Sequence, residues 1–237
     1  RRGKRAVRHD VMRCRFRGRG LCRALLRNSA RLLADQARVY DARSPQLRGG
    51  QGGMAFVVGT YARSPAAPLQ QMELAALRKA LQIGPTDSAD FACTPRLQLA
   101  WVALDGSVGA PDRREDGSLA LLWGALFRDG HDDVSNRKLL RDEAGKDSPK
   151  LTDIGGDFGY ALHDTASDSL CLLTDKLGIR ALFVCCTKDR VWFSSSLRVM
   201  ERLPAVRKVM DLRAVAEMTV FGSPLGDRTA YVDVRVL

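Results

Sequence analysis

The feature that most constrains this chain is a series of strand-length segments packed close together in its C-terminal half. Residues 158–163, 169–174, 181–187 and 191–195 are apolar or alternating stretches separated only by "DTASD", "DKLGIR" and "TKDR". Parallel neighbours need a crossover of about a dozen residues or more, so connections this short favour antiparallel pairing, and the spacing predicts an antiparallel meander.

Upstream segments add helices. Residues 54–61 form a short apolar run containing Phe56, Val57 and Val58, long enough for a buried strand and too short for a typical helix. After "RSPAAP", Leu69, Met72, Ala76, Leu77, Ala80 and Leu81 recur at helical spacing until Gly84-Pro85, which predicts an amphipathic helix over 69–82. Strands are expected at 96–104 and 119–127, on either side of the turn-rich "DGSVGAPDRREDG", and a second helix within 133–144. "DLRAVAEMTVFG" predicts a third helix, with Asp211 as N-cap, Gly222 as stop, and Val215, Met218 and Val220 as its inner face. Helix, strands, helix, strands, helix is the order of an α+β domain.

Charge divides the chain in two. Residues 1–53 hold 15 Lys and Arg against 3 Asp and Glu, while the remainder holds 23 against 24, so the net charge of +11 belongs to the N-terminal segment. "RRGKRAVRHDVMRCRFRGRG" has the arginine density of a phosphate-binding arm, but Phe16 and Tyr40 are the only Phe, Tyr or Trp in the segment, too few for a base-stacking platform. The segment also reads as a basic helix or a transit peptide. The chain opens on Arg1, and "QGG" before Met54 is what a purine-rich ribosome-binding site would encode. Residues 1–53 are therefore expected to be a disordered or non-native extension, upstream sequence translated in frame. The folded domain is expected over 54–237, and nucleic-acid binding through the tail is the less favoured reading. No run approaches the roughly 18 apolar residues of a membrane span. The six cysteines include no C-x-x-C pair, which favours reduced thiols and a cytoplasmic location.

The stretch "GGDFGYALHDTASDSLCLLTDKLGIRALFVCCTKDRVWFSSSLRVMERLP" resembles the glutamine amidotransferase domain of the asparagine synthetase family. Gly156, Phe158, Ala161, Leu162 and Asp164 fit the family's G-x-F-A-x-A-L-W-D block. Leu172, Asp175, Gly178 and Leu182 fit L-x-L-x-R-D-x-x-G-x-x-P-L-Y-Y, and Phe193, Ser195 and Leu197 fit F-A-S-E-x-K-A-L. The closing "MDLRAVAEMTVFGSPLGDRTAYVDVRVL" is similar to the family's linking segment. The resemblance implies an N-terminal-nucleophile (Ntn) hydrolase-like fold, a four-layer αββα sandwich of two antiparallel sheets.

It also implies a degenerate glutaminase site. In the family the residue after the initiator methionine is a cysteine, whose thiol attacks the side-chain amide of glutamine with help from the free α-amine. That position is Ala55, so no catalytic residue is expected here. The arginine that grips the glutamine carboxylate should fall in "LAWVALDGS", where Val102 and Ala103 stand. The oxyanion-stabilising asparagine and glycine align with Trp123 and Gly124, and an aspartate that binds the substrate amine aligns with Asp132 or Asp133. Removing one oxyanion donor typically costs about two to three orders of magnitude in rate, and losing the nucleophile as well removes the covalent route.

The expected function is that of a pseudo-glutaminase domain, structural in role, belonging to an asparagine-synthetase-like ligase. An active glutamine-hydrolysing fragment that supplies ammonia is the alternative. The family's pyrophosphate-binding S-G-G-x-D-S loop is absent before Leu237, so the chain reads as a fragment, although a stand-alone protein is the other option. The expected partner is a synthetase domain in cis or trans, with a homodimer as a further candidate. No cofactor is expected in this chain; ATP and Mg belong to the missing domain. Among other residues, adjacent Cys185 and Cys186 should divide between core and surface, and His131 and His163 lack ligand-spaced partners, so no metal is expected. Asp175 and Arg180 read as turn and surface-pairing residues, and the serines at 194–196 lack a nucleophile-elbow setting.

Overall fold

In a computed structural model of the chain, the residues described are 13–17, 55–64, 71–82, 89–103, 111–128, 130–144, 146, 151 and 154–237. In chain order they form β1 (Arg13–Arg17), β2 (Ala55–Ala62), α1 (Gln71–Leu81), β3 (Asp90–Cys93), β4 (Leu97–Ala103), β5 (Asp112–Arg113), β6 (Leu119–Phe127) and α2 (Asp133–Ala144). They continue with β7 (Gly155–Asp164), β8 (Ser169–Thr174), β9 (Phe183–Cys186), β10 (Arg190–Ser194), α3 (Leu197–Glu201), α4 (Leu212–Phe221) and β11 (Val234–Val236). All strand pairs are antiparallel and lie in two sheets, β1-β8-β7-β6-β5 and β11-β9-β10-β2-β4-β3.

Side-chain alternation along the strands divides the apolar residues into three packed layers. Val57, Tyr61, Leu97, Leu99 and Phe193 from the six-stranded sheet meet Leu121, Trp123, Ala161, Leu170 and Leu172 from the five-stranded sheet. Val58, Ala100 and Trp192, on the opposite face of the six-stranded sheet, pack with Leu77, Ala80 and Leu81 of α1 and Val199 and Met200 of α3. Ala120, Leu122, Tyr160 and Leu173, on the outer face of the other sheet, pack with Leu140 and Ala144 of α2. The result is an α+β arrangement of helices outside two facing antiparallel sheets, compatible with a sandwich.

Three expectations need correction. The four C-terminal segments do not form one meander: β7 and β8 pair in one sheet, β9 and β10 in the other. The reason lies in the connecting turn. Asp175 is buried, and its carboxylate accepts the Leu177, Ile179 and Arg180 N–H groups at 2.9–3.0 Å, which turns the chain away from its own sheet. Second, α4 has the expected N-cap, with Asp211 accepting from the Arg213 and Ala214 N–H groups, and the expected stop at Gly222 (φ +77°), but its inner face is different. Ala214 and Glu217 are buried, whereas Met218 and Val220 are exposed, because Glu217 is held inward by Arg228 and carries the helix's rotation with it. Third, the strand expected over 181–187 is shorter, Phe183–Cys186. Within the N-terminal segment expected to be an extension, residues 13–17 pair with β8; its other residues, like Leu69 of the first helix, lie outside the described residues.

Candidate functional site

β2 opens at Ala55, and the site expected from the sequence is built around that position. On one side β4 holds it, with Ala55 opposite Ala103 and Phe56 opposite Val102. On the other side the end of β10 is tied to the next residue but one. The Val57 N–H donates to Ser195 Oγ (2.9 Å), the Ser195 N–H donates to the Val57 carbonyl (2.9 Å), and Ser194 Oγ donates to the same carbonyl (2.8 Å). The serines at 194–195 thus act as backbone ties.

The other expected positions are placed in different layers. Val102 is 5% exposed and packs on the helix-covered face of its sheet, among Val58, Leu77 and Ala80. Trp123 lies between the sheets, 1% exposed, with its indole over Gly159, its register partner on β7; a Cβ at Gly159 would overlap the ring. Among the described residues the Trp123 Nε1–H has no hydrogen-bond partner. Gly124 has φ +91°, and any side chain there would overlap the Asp157 carbonyl. Arg180 occupies the space: its Nε donates to that carbonyl at 3.1 Å and its Nη2 to Asp157 Oδ2 at 3.0 Å. Asp132 is exposed at the start of α2, where its Oδ1 accepts the Ser135 N–H (2.9 Å); hydrogen bonds from Ser135 hold its carboxyl below the usual value. Asp133 is the first residue of α2. The structure therefore puts Ala55 and Val102 on the adjacent strands β2 and β4, one register step apart, and Trp123 beside Gly124 along β6, while the Val102 and Trp123 side chains face different layers.

One polar cluster was not anticipated. His163 on β7 faces Thr94 in the β3–β4 turn, with Thr94 Oγ1 and His163 Nδ1 2.9 Å apart. Thr94 Oγ1 also accepts the Leu97 N–H (2.9 Å) and the Arg96 N–H (3.3 Å), so its proton is directed to Nδ1 and the imidazole is neutral with its proton on Nε2. That Nε2 lies 3.7 Å from Asp168 Oδ1. Arg96 donates to Asp168 Oδ2 (2.5 Å), to the Ala62 carbonyl (2.7 Å) and to the Tyr61 hydroxyl (3.2 Å), and that hydroxyl donates to the Asp168 carbonyl (3.0 Å). Burial pushes the His163 pKa down and the Tyr61 pKa up to about 12.

A hydroxyl, an imidazole and a carboxylate in sequence suggest nucleophilic catalysis, but Thr94 and His163 are 8% and 2% exposed and the hydroxyl is committed to the turn. The cluster is a latch: it joins Thr94, Arg96 and Tyr61 of one sheet to His163 and Asp168 of the other. No local spacing signals it, because its members come from separate strands and turns.

A cavity of about 230 Å³ is lined by Cys185, Cys186, Thr187, Ala205, Arg207 and Asp233. Cys185 is buried and Cys186 exposed, as alternation along β9 requires. Burial pushes the Cys185 thiol up to about 11, which removes it as a nucleophile, and Arg207 is engaged by both oxygens of Asp233 at 2.6 and 2.8 Å. Among the described residues no group of three or more His, Cys, Asp and Glu is arranged to hold a metal ion.

Residues 139–237, from within α2 to the last residue, match the family model of the glutamine amidotransferase domain. This part of the chain, which contains β7 to β11, α3 and α4, is glutamine amidotransferase-like. No curated protein is similar enough to the chain to match it. Among the described residues, no helix is long and apolar enough to cross a membrane.

Proposed function

We propose that this chain is the amidotransferase-like part of an asparagine-synthetase-like, ATP-dependent amide-forming enzyme, an Ntn-type sandwich that has lost glutaminase chemistry and serves a synthetase domain structurally. The observation that carries this reading is Ala55 at the head of β2. Attack on the amide of glutamine needs a thiol or hydroxyl beside a base, and a methyl group offers no lone pair. Trp123, where an oxyanion donor would stand, is sunk between the sheets, and Val102, where a cation would clamp a carboxylate, is packed among aliphatic side chains.

The docking role is supported by α4. Leu212, Val220 and Phe221 are 78%, 72% and 62% exposed, and a helix apolar on nearly every side is one normally buried in a larger structure. ATP and Mg would be held by the synthetase domain, whose carboxylate-activating chemistry this chain does not supply. A glutamine-hydrolysing enzyme is the second reading, favoured by the match of residues 139–237 to a glutamine amidotransferase model.

Glutamate release from glutamine separates the two. The purified chain is expected to show no release above the no-enzyme rate, both at full length and when started at Met54. Release above that rate would overturn the proposal. Ala55→Cys in the Met54-started chain is expected to restore little activity, since the missing oxyanion donor alone is worth about 100-fold or more.

A further inference from the structure

An edge strand presents unpaired N–H and C=O groups to any other extended chain, and short, charged edges are a common defence. The edges of the two sheets follow that rule. They are β5, two residues (Asp112–Arg113); β3, four residues; β11, three residues; and β1, five residues, three of them arginine.

The strand beneath β1 is of the opposite kind. β8, "SLCLLT", has no charge, proline or glycine, and all six of its residues are buried. A six-residue uncharged apolar segment of this type is an aggregation hazard wherever it becomes an edge. β7 pairs with one side of it, from Gly159 opposite Thr174 to Asp164 opposite Ser169. β1 pairs with the other, from Arg13 opposite Leu173 to Arg17 opposite Ser169.

Charge adds a second, independent argument. Residues 54–237 carry 23 basic and 24 acidic residues, a near-neutral body with little electrostatic repulsion between copies. Residues 1–53 carry 15 basic against 3 acidic and supply the repulsion that the body lacks.

We propose that Arg13–Arg17 is a working edge strand of this domain, by which the chain's own basic segment caps β8 and keeps it from pairing with a second copy. The backbone of β1 satisfies the outer groups of β8, and three of its five residues are arginine, so a further strand must pair with a short cationic segment to add on.

Hydrogen exchange on the unsubstituted full chain gives the first test. The amides of Arg13–Arg17 that face β8 should exchange at least about tenfold slower than in an unfolded chain; unfolded rates throughout β1 would overturn the proposal. The second test uses Cys14→Pro with Arg15→Pro, which removes N–H groups from both sides of β1, so that one loss must fall on the ladder. Exchange should then quicken about tenfold or more at Leu170–Leu173 while β6 amides keep their protection, and sedimentation velocity should show new self-association. Unchanged exchange and unchanged association would refute the capping role. If this variant loses protection everywhere, the exchange of β1 in the unsubstituted chain decides the matter alone. Arg13→Ser with Arg15→Ser and Arg17→Ser tests the charge: β8 should stay protected while association rises, and association equal to that of the parent would remove charge from the explanation.

Discussion

Helices α1 and α4 both carry apolar residues at helical spacing, yet they are held by different forces. Leu77, Ala80 and Leu81 of α1 are fully buried against Val58 and Ala100, so its attachment rests on apolar area. α4 is attached through Glu217, which accepts from the Arg228 Nε and Nη2, from the Arg213 Nε and from the Leu225 N–H, while Leu212 and Val220 face solvent. Apolar periodicity states that a face is to be covered; it does not say by what. α1 finds its cover within the domain, and the bare side of α4 is what a docking partner would bury.

The comparison can be broken in five ways. The largest effect is expected from Leu77→Ala, which should cost about 2–5 kcal/mol in urea unfolding, because a cavity opens under α1. A loss within about 0.5 kcal/mol would mean that α1 is not held by its apolar face. Glu217→Gln should act locally: α4 amides are expected to lose hydrogen-exchange protection while those of α1 keep theirs.

The same contrast should appear with pH. The Arg228 guanidinium, with the Leu225 N–H, holds the Glu217 carboxyl down to about 2 from its ordinary 4.5. A carboxyl depressed on folding stabilises above its unfolded value, and that contribution is lost as pH falls from 4.5 toward 2. Acid should therefore release α4 through this site while leaving the apolar hold on α1 untouched, which limited proteolysis across that range would register.

Asp211→Ala removes the N-cap of α4 and is expected to cost about 1 kcal/mol in calorimetry. The smallest effect belongs to Leu212→Ser with Val220→Ser. Stability should shift by no more than about 0.5 kcal/mol, since neither side chain is packed, and solubility should rise. A drop of several kcal/mol would show that the outer side of α4 is already covered within the chain.

Much of the local structure was readable from the sequence. The strands over 119–127 and 169–174 coincide with β6 and β8, the helix expected within 133–144 is α2, and Asp211 and Gly222 cap α4 as their types suggest. Each of these signals lies within a few residues of what it specifies: an apolar run of strand length, a carboxylate beside free N–H groups, a glycine at positive φ. The short strands β1, β3, β5 and β11 carry no such signal, since β5 is only Asp112–Arg113 and exists because β6 accepts it. The rotation of α4 was misread because its one buried ionic residue outweighed the apolar count, and Glu217 finds Arg228 only once the chain after Gly222 has turned back.

The candidate site divides in the same way. The identity of Ala55 at the head of β2 follows from the sequence alone, as do the four strand-length segments and the caps. Tertiary structure decided that those segments separate into two sheets, that Val102 and Trp123 face different layers, and that Thr94 meets His163 across 69 residues of chain. The physical reason is range. Propensity, capping and alternation act between near neighbours, whereas the choice of sheet, face and partner depends on packing and on ion pairs between groups that only folding brings within reach.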